Sequence, residues 1–411
     1  MEFRPILSAL LRNKTGPVLV ALQVALSLAI LANALFIVNE RKAVAARPSG
    51  IADEHATFYF NVRALNNDGP EQRLALMKRQ ADMLRAVPGV ASVANVSQMP
   101  MSRSGSNNSI AVDRKQASET ATSAAYCAGD SLVSTFGLKL VEGRDFLPQE
   151  YADLDERASN DLPKPVLITK AQADKLWPGA ASVVGRTFYY GTGEDAFELH
   201  VVGVVERLQS TPAQVSEQGE FSTISPVRLY GSPNTLFAVR AAPGQRDRVM
   251  KEAEEALRKS TATPLIIRAK TVDEDRKNRY RADVALSWML VTVSVLLLMI
   301  TCSGIVGMAS LWVTQRRKQI GVRRALGARR LDILRYFLTE NFMITSCGVF
   351  GGVLLGVGLN HLLVSSLEMA RLPFVYLGGG AIVFWALGVM AVYGPAWRAA
   401  SISPALATRS T

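Results

Sequence analysis

Four stretches of the chain contain no Asp, Glu, Lys or Arg: residues 15–39, 284–314, 341–367 and 372–397. At about 1.5 Å of rise per residue, a helix over any of them crosses a hydrocarbon layer about 30 Å thick. Backbone inside such a layer must satisfy every N–H and C=O internally, so helices are the expected form. The second stretch, 31 residues long, has length to spare, and its helix is expected to protrude as a stalk. An ordinary soluble globule is excluded. A wholly embedded bundle is excluded too, because residues 40–283 between the first two stretches are polar in composition. The first run is longer than the ~7–15-residue core of a cleaved signal peptide. Its small-residue candidate site, Ala43-Val44-Ala45, lies beyond Glu40-Arg41-Lys42, so a permanent first span is expected.

Charge sets the expected orientation. The net charge of +11 is concentrated in short segments. Residues 1–14 carry +2. Residues 315–340 carry +6, from Arg316, Arg317, Lys318, Arg323, Arg324, Arg329, Arg330 and Arg335 against Asp332 and Glu340. The tail, 398–411, adds Arg398 and Arg409, and the short loop 368–371 balances Glu368 with Arg371. By contrast, residues 40–283 hold 32 basic and 31 acidic residues. The positive-inside rule then places 1–14, 315–340 and 398–411 in the cytoplasm, with 40–283 and 368–371 outside. That distribution accounts for the pI near 9.7 without nucleic acid as a partner.

Within the outer segment, Phe58, Phe60 and Val62 alternate as in a strand, and Leu74, Met77, Ala81 and Leu84 recur at helical spacing before Pro88-Gly89. Residues 90–96 read as a strand. The order returns at 235–240 (strand), 245–260 (helix, with Val249, Ala253 and Leu257 on one face) and 265–268 (strand). Two βαβ-like units, in 40–99 and 227–283, are therefore expected to pair into one α/β subdomain. Residues 100–226 form an insertion of different texture, expected to be β-rich and to project from the first. It holds a polar loop at 102–109, strands at 165–169, 186–190 and 199–205, and a short helix at 171–176. Cys127 is the single cysteine of the outer segment, which excludes an intramolecular disulfide there, and it reads as a small core residue.

The chemistry of an enzyme is missing. The chain contains no Gly-x-x-x-x-Gly-Lys-Ser/Thr, no Gly-x-Ser-x-Gly, no His-Glu-x-x-His and no Cys-x-x-Cys. Gly191-Thr192-Gly193 lacks a following lysine and reads as a hairpin turn. His55, His200 and His361 are too scattered for a metal cluster. No catalytic, cofactor-binding or metal-binding residue is assigned. In the third span Gly348-x-x-x-Gly352-x-x-x-Gly356 offers a surface for close helix approach.

Between the second and third spans the sequence reads QRRKQIGVRRALGARRLDILRYFLTENF. Ile320, Val322, Ala325 and Leu326 are the apolar residues of a short basic helix, and Gly327 stops it. Leu331, Leu334, Leu338 and Phe342 recur along a second helix leading into the third span, with Asp332 near its positive end. The physical expectation is an elbow beneath the membrane. Taken alone, it also fits a basic amphipathic helix lying on anionic lipid.

The segment Arg316-x-x-Gln319-Ile320-Gly321-Val322-Arg323-Arg324-Ala325-Leu326-Gly327-Ala328 resembles the coupling segment of FtsX/MacB-type ABC transporter permeases, R-x-x-E-I-G-I-R-x-A-x-G-A. The tail Pro395-Ala396-Trp397-Arg398-Ala399-Ala400 with Pro404 resembles their closing P-A-x-R-A-A-x-x-x-P. Pro88-Gly89-Val90, Gly143-Arg144-Asp145-Phe146 and Leu176-Trp177-Pro178-Gly179 resemble outer-domain motifs of the same family. The resemblance implies an α-helical membrane protein of the bacterial inner membrane, with four transmembrane helices. It also implies a large α+β periplasmic domain in which porter-like βαβ halves carry an inserted β-rich subdomain.

The resemblance further implies mechanotransmission: motion driven by ATP and Mg on a separate ABC-type ATPase, in two copies, passes through the elbow to the periplasmic domain. Gln319, Ile320, Gly321, Arg323, Arg324, Ala325, Leu326 and Gly327 are its implied ATPase-coupling residues. Ile320 and Leu326 would act as apolar knobs, Gly327 as the required break, and Arg323 and Arg324 would meet acids or lipid headgroups. Implied partners are a second permease chain, a membrane-fusion protein with an outer-membrane channel, and the lipid bilayer.

Efflux of antibiotics or peptides is the leading expectation. Lipoprotein extraction or control of cell-wall hydrolases is the alternative within the family, and a membrane sensor is the alternative outside it. The sequence departs from the family pattern at Gln319, where glutamate is usual, and at Ala405-Leu406-Ala407, which lacks the usual glutamate after Pro404. Both departures point to a sister permease as the second chain.

Overall fold

The computed structural model describes residues 15–65, 69–159, 161–214, 216–367 and 371–401. The expected cytoplasmic N-terminus (1–14), most of the loop 368–371 and most of the tail lie outside the described residues. The chain divides into two units. One is built from the chain's two ends, up to Ala43 and from Asp283 onward, and the other is Val44–Ala282.

The first unit is helical. Among the described residues four helices are long and apolar enough to cross a membrane: α1 (Thr15–Ala45), α6 (Val272–Gln315), α8 (Arg330–Leu367) and α9 (Phe374–Ala400). Between α6 and α8 lies the short α7 (Arg317–Ala325). Helix α1 is the central strut, with 56% of its most apolar stretch buried against 17% for α6. The glycine spacing of α8 explains this closeness. A Cβ at Gly348 would stand 2.7 Å from the Ala21 carbonyl oxygen, and one at Gly352 2.9 Å from the Leu28 Cβ. Only a bare backbone fits there, as the Gly-x-x-x-Gly spacing predicts. Polar side chains add ties suited to a medium without water: Ser27 and Thr301 share a hydrogen bond of 2.9 Å, and Asn33 Nδ2 donates to the Ala29 and Gly356 carbonyls.

The second unit holds two sheets. β1 (Thr57–Ala64), β2 (Val90–Val96), β12 (Asn234–Ala241) and β13 (Leu265–Thr271) form an antiparallel sheet of order β13-β1-β12-β2. The two βαβ-like runs are thus interleaved, β1 lying between the two strands of the later run. Helices α2 (Pro70–Arg85) and α5 (Arg246–Arg258) cover one face, their Leu84, Val249 and Leu257 joining Phe58, Phe60 and Phe237 of the sheet in one core.

The other sheet has the order β5-β9-β7-β10-β4-β3-β8. Its strands are β3 (Asn107–Ala111), β4 (Ala121–Cys127), β5 (Leu140–Gly143), β7 (Pro165–Thr169), β8 (Thr187–Tyr190), β9 (Phe197–Val205) and β10 (Ser222–Ser225). Because β8 also pairs with β9, the sheet closes into a barrel and β5 hangs on the far end of β9. Alternate residues follow the pleat. Val166, Ile168 and Ala125 join one apolar cluster with Phe188 and Leu199, while Leu167, Ala124 and Tyr126 join another. That second cluster contains Tyr59, Ala94 and Ala238 from the helix-free face of the four-stranded sheet. The insertion therefore shares a core with the α/β part, where the sequence reading had it projecting. Helix α3 (Leu132–Phe136) closes this shared core with Leu132 and Phe136. A further short pair, β6 (Ala152–Leu154) with β11 (Val227–Leu229), runs parallel beside it, and α4 (Lys170–Leu176) follows β7.

The polar run at 102–109, expected as a loop, contributes Asn107–Ala111 as β3. Pairing with β4 on one side and β8 on the other satisfies its backbone and overrides its poor strand propensity.

Candidate functional site

Helix α7 begins and ends as its residues dictate. At its start Arg316 leaves helical geometry (φ −97°, ψ 9°), which separates α7 from α6. At its end Gly327 takes φ +98°, a left-handed conformation, with nothing within 4 Å of where a Cβ would stand. The glycine is therefore required by the backbone and not by crowding. Helix α8 then starts under a local cap, Arg329 N–H donating to Asp332 Oδ2 at 2.9 Å, in keeping with an acid at the positive end of the helix.

An ion pair fixes the elbow from within. Arg316 Nη1 donates to Glu340 Oε2 at 2.8 Å, and to the Tyr336 hydroxyl at 3.4 Å. The Glu340 side chain is 1% exposed and that of Arg316 is 22% exposed. Arg323 lies over the Tyr336 ring, 5.3 Å from its centroid. The first residue of the turn is thereby tied nearly three helical turns into α8, and the far end of α7 is tied through the Tyr336 ring. The sequence reading weighed Glu340 only as a charge, and Arg316 as a charge and as the first residue of the family-like segment. An arginine ahead of a short helix and a glutamate at the edge of an apolar run were the available signal.

The coupling residues named from sequence separate into two groups. Ile320 is 5% exposed and shares an apolar cluster with Phe337 of α8 and Ala396, Ala399 and Ala400 of α9. It anchors α7 to the bundle and does not present an outward knob. Gly321 is buried beside it. Leu326 is 83% exposed and Val322 is 51% exposed, so the outward apolar surface is theirs. Gln319, Arg323 and Ala325 are exposed with them, and Arg324 is half-buried. In the first four turns of α8 the buried apolar residues are Ile333, Leu334, Phe337 and Ile344, whereas Leu331 and Phe342 are exposed. The expected stripe of Leu331, Leu334, Leu338 and Phe342 is thus rotated by about one position. The inward face also carries Glu340, Asn341 and Thr345, polar residues that an apolar pattern cannot register.

The comparisons with known proteins fall on this region. Residues 291–404 match the family model described as the FtsX-like permease C-terminal domain. The chain carries an FtsX-like permease domain. That domain takes in most of α6, the elbow, α8 and α9. Longer stretches are similar to exporters of the FtsX/MacB type. The pyoverdine export ATP-binding/permease protein PvdT of Pseudomonas savastanoi is 26% identical over 264 residues, covering 58% of this chain and 39% of that protein. The macrolide export ATP-binding/permease protein MacB of Syntrophobacter fumaroxidans is 28% identical over 200 residues, covering 48% and 28%. MacB of Agrobacterium fabrum is 27% identical over 282 residues, covering 65% and 40%. The chain thus spans about two fifths or less of the length of these curated relatives. With the four apolar helices, these similarities are to multi-pass membrane permeases, and the family-model match falls on residues 291–404.

Proposed function

We propose that this chain is the permease subunit of an inner-membrane ABC exporter, and that it converts ATP-driven motion of a separate ATPase into movement of its Val44–Ala282 unit on the periplasmic side. The observation that carries this reading is the elbow. A basic helix offers Leu326 and Val322 outward, is anchored inward by Ile320, and is locked at its start by Arg316–Glu340. A lipid-surface helix needs an apolar face but not a buried ion pair fixing its angle. Helices α1 and α6 would carry the motion, because each continues from its apolar stretch to the edge of the other unit. The names of the relatives, exporters of pyoverdine and macrolides, favour efflux of a peptide-like or antibiotic load with a membrane-fusion partner. ATP and Mg would belong to the partner ATPase. Gln319, exposed on α7, leaves room for a sister permease that supplies the usual glutamate.

Purification of the tagged chain from its host, with mass spectrometry of what accompanies it, tests the reading. An ABC-type ATPase together with a membrane-fusion protein is the expected result. An ATPase with a lipoprotein carrier or cell-wall hydrolase would replace the load, and an intact complex without any ATPase would overturn the proposal.

A further inference from the structure

A cavity of 670 Å³ opens at one mouth of the barrel, within the range of about 300–1,000 Å³ that small-molecule sites occupy. Strands β3 and β4 contribute Asn108, Ala125 and Cys127, the β8–β9 hairpin contributes Tyr190 and Phe197, and β10 contributes Ser225. Its charged lining residues are Glu156, Asp161 and Asp195, and among the described residues no Lys, Arg or His lines it. All three are exposed, and among the described residues none of them is in an ion pair. Burial pushes the Cys127 thiol in the wall up to about 12, with a hydrogen bond from Ser97 lowering it and the charge of Glu156, alone of the three, adding to the rise.

A second cleft, of 460 Å³, shows the contrast. There Lys175 faces Glu217 and Arg47 faces Glu220, both at 3.9 Å, so the charges compensate each other locally. In the barrel cavity they do not. Nor do its acids converge, since no group of three metal-ligating side chains is placed to hold a metal ion among the described residues. Separated carboxylates around a roomy space suit an extended organic cation. Phe197 and Tyr190 line the same space as aromatic side chains, which can attract positive charge, and Asn108 and the serines add acceptors for N–H groups.

We propose that the barrel-mouth cavity is a binding site for a small organic polycation, an amine- or guanidinium-bearing molecule or peptide segment, held by Glu156, Asp161 and Asp195. The proposal stands on the cavity alone and does not require the exporter reading.

The test is calorimetric titration of the full-length chain, in uncharged detergent, with spermine. Saturable binding is expected, weakening about tenfold or more in Glu156→Gln/Asp195→Asn and also weakening with added salt. The control variant Glu71→Gln/Glu255→Gln, which removes two acids away from the cavity, is expected to bind as the parent does. Binding unchanged by the cavity variant, or reduced equally by both variants, would overturn the site. So would stoichiometric displacement of spermine by calcium, which would make it a metal site, or no binding at millimolar spermine. If the cavity variant fails to unfold cooperatively, Phe197→Leu serves in its place. It is expected to weaken spermine a few-fold with the acids intact, and unchanged affinity would again overturn the proposal.

Discussion

At the scale of single residues, the elbow sets burial against exposure in a way that mutation can separate. Ile320 lies in the bundle core, so Ile320→Ala is expected to cost about 2–5 kcal/mol of stability. Leu326 is 83% exposed, so Leu326→Asp should change stability by no more than about 0.5 kcal/mol. On the proposed function it should nonetheless abolish retention of the ATPase. Thermal unfolding of each purified variant, read beside ATPase pull-down, checks both; retention by Leu326→Asp would remove α7 from the contact.

Arg316→Ala strands the buried Glu340 carboxylate and is expected to cost about 3–5 kcal/mol, more than any exposed arginine of the segment, such as Arg330→Ala. Gly327→Leu meets no steric neighbour, so its cost is the left-handed backbone alone, about 1–2 kcal/mol. It should leave the chain inserted while uncoupling ATP hydrolysis from transport.

Glu54 supplies a pH dependence in the other unit. Burial raises its pKa, but hydrogen bonds from Arg276 and Ser49 and the Arg276 charge outweigh that and hold it below its ordinary 4.5. A carboxyl whose folded pKa is depressed contributes stability above its unfolded pKa and loses it as pH falls through the folded value. Glu54→Gln should therefore melt lower than the parent at about pH 6, with the gap closing toward about pH 3. A gap that stays constant with pH would assign the loss to packing.

At the scale of elements, what the sequence made legible follows from periodicity. The four spans, the strands at 57, 90, 165, 187 and 265, and the helices at Pro70–Arg85 and Arg246–Arg258 all carry one apolar face or one apolar run. β3 and β4 were not legible, because Asn107, Asn108, Ser109, Thr122 and Ser123 acquire strand geometry only through pairing across the barrel. The candidate site was legible as a motif but not as a geometry. Nothing in Arg316 or Glu340 alone announces a 2.8 Å contact across 24 positions.

The glycine seam of α8 was legible and leads to a discriminating pair of substitutions. Gly352→Leu places a side chain against Leu28 Cβ at 2.9 Å and the Ala25 carbonyl at 3.0 Å, and the rigid neighbour is backbone. It should cost several kcal/mol, about the upper range for overpacking. Gly358→Leu, in the same helix with nothing within 4 Å, should be neutral or stabilising. Equal melting of the two variants would mean that α8 does not pack on α1 through this face.

At the scale of the whole molecule, the exporter reading requires α7 and residues 44–282 to lie on opposite sides of the membrane, since ATP is inside and the load outside. Charge asymmetry argues for this, with +6 in residues 315–340 against 32 basic and 31 acidic residues in 40–283. Single cysteines introduced at Asp113 and Arg330, both exposed, test it in a background where Cys127, Cys302 and Cys347 are replaced. In intact spheroplasts a membrane-impermeant maleimide should label Asp113→Cys at once, and Arg330→Cys only after the membrane is opened. The reverse pattern would put the elbow out of reach of any cytoplasmic ATPase, and the +6 segment would then face acidic partners or lipid on the outer surface. Labelling of both positions in sealed spheroplasts would mean that α6, the long apolar helix between them, does not cross, despite its length. On the proposed function, only the first pattern lets a partner ATPase docked on α7 from the cytoplasm drive movement of residues 44–282 outside.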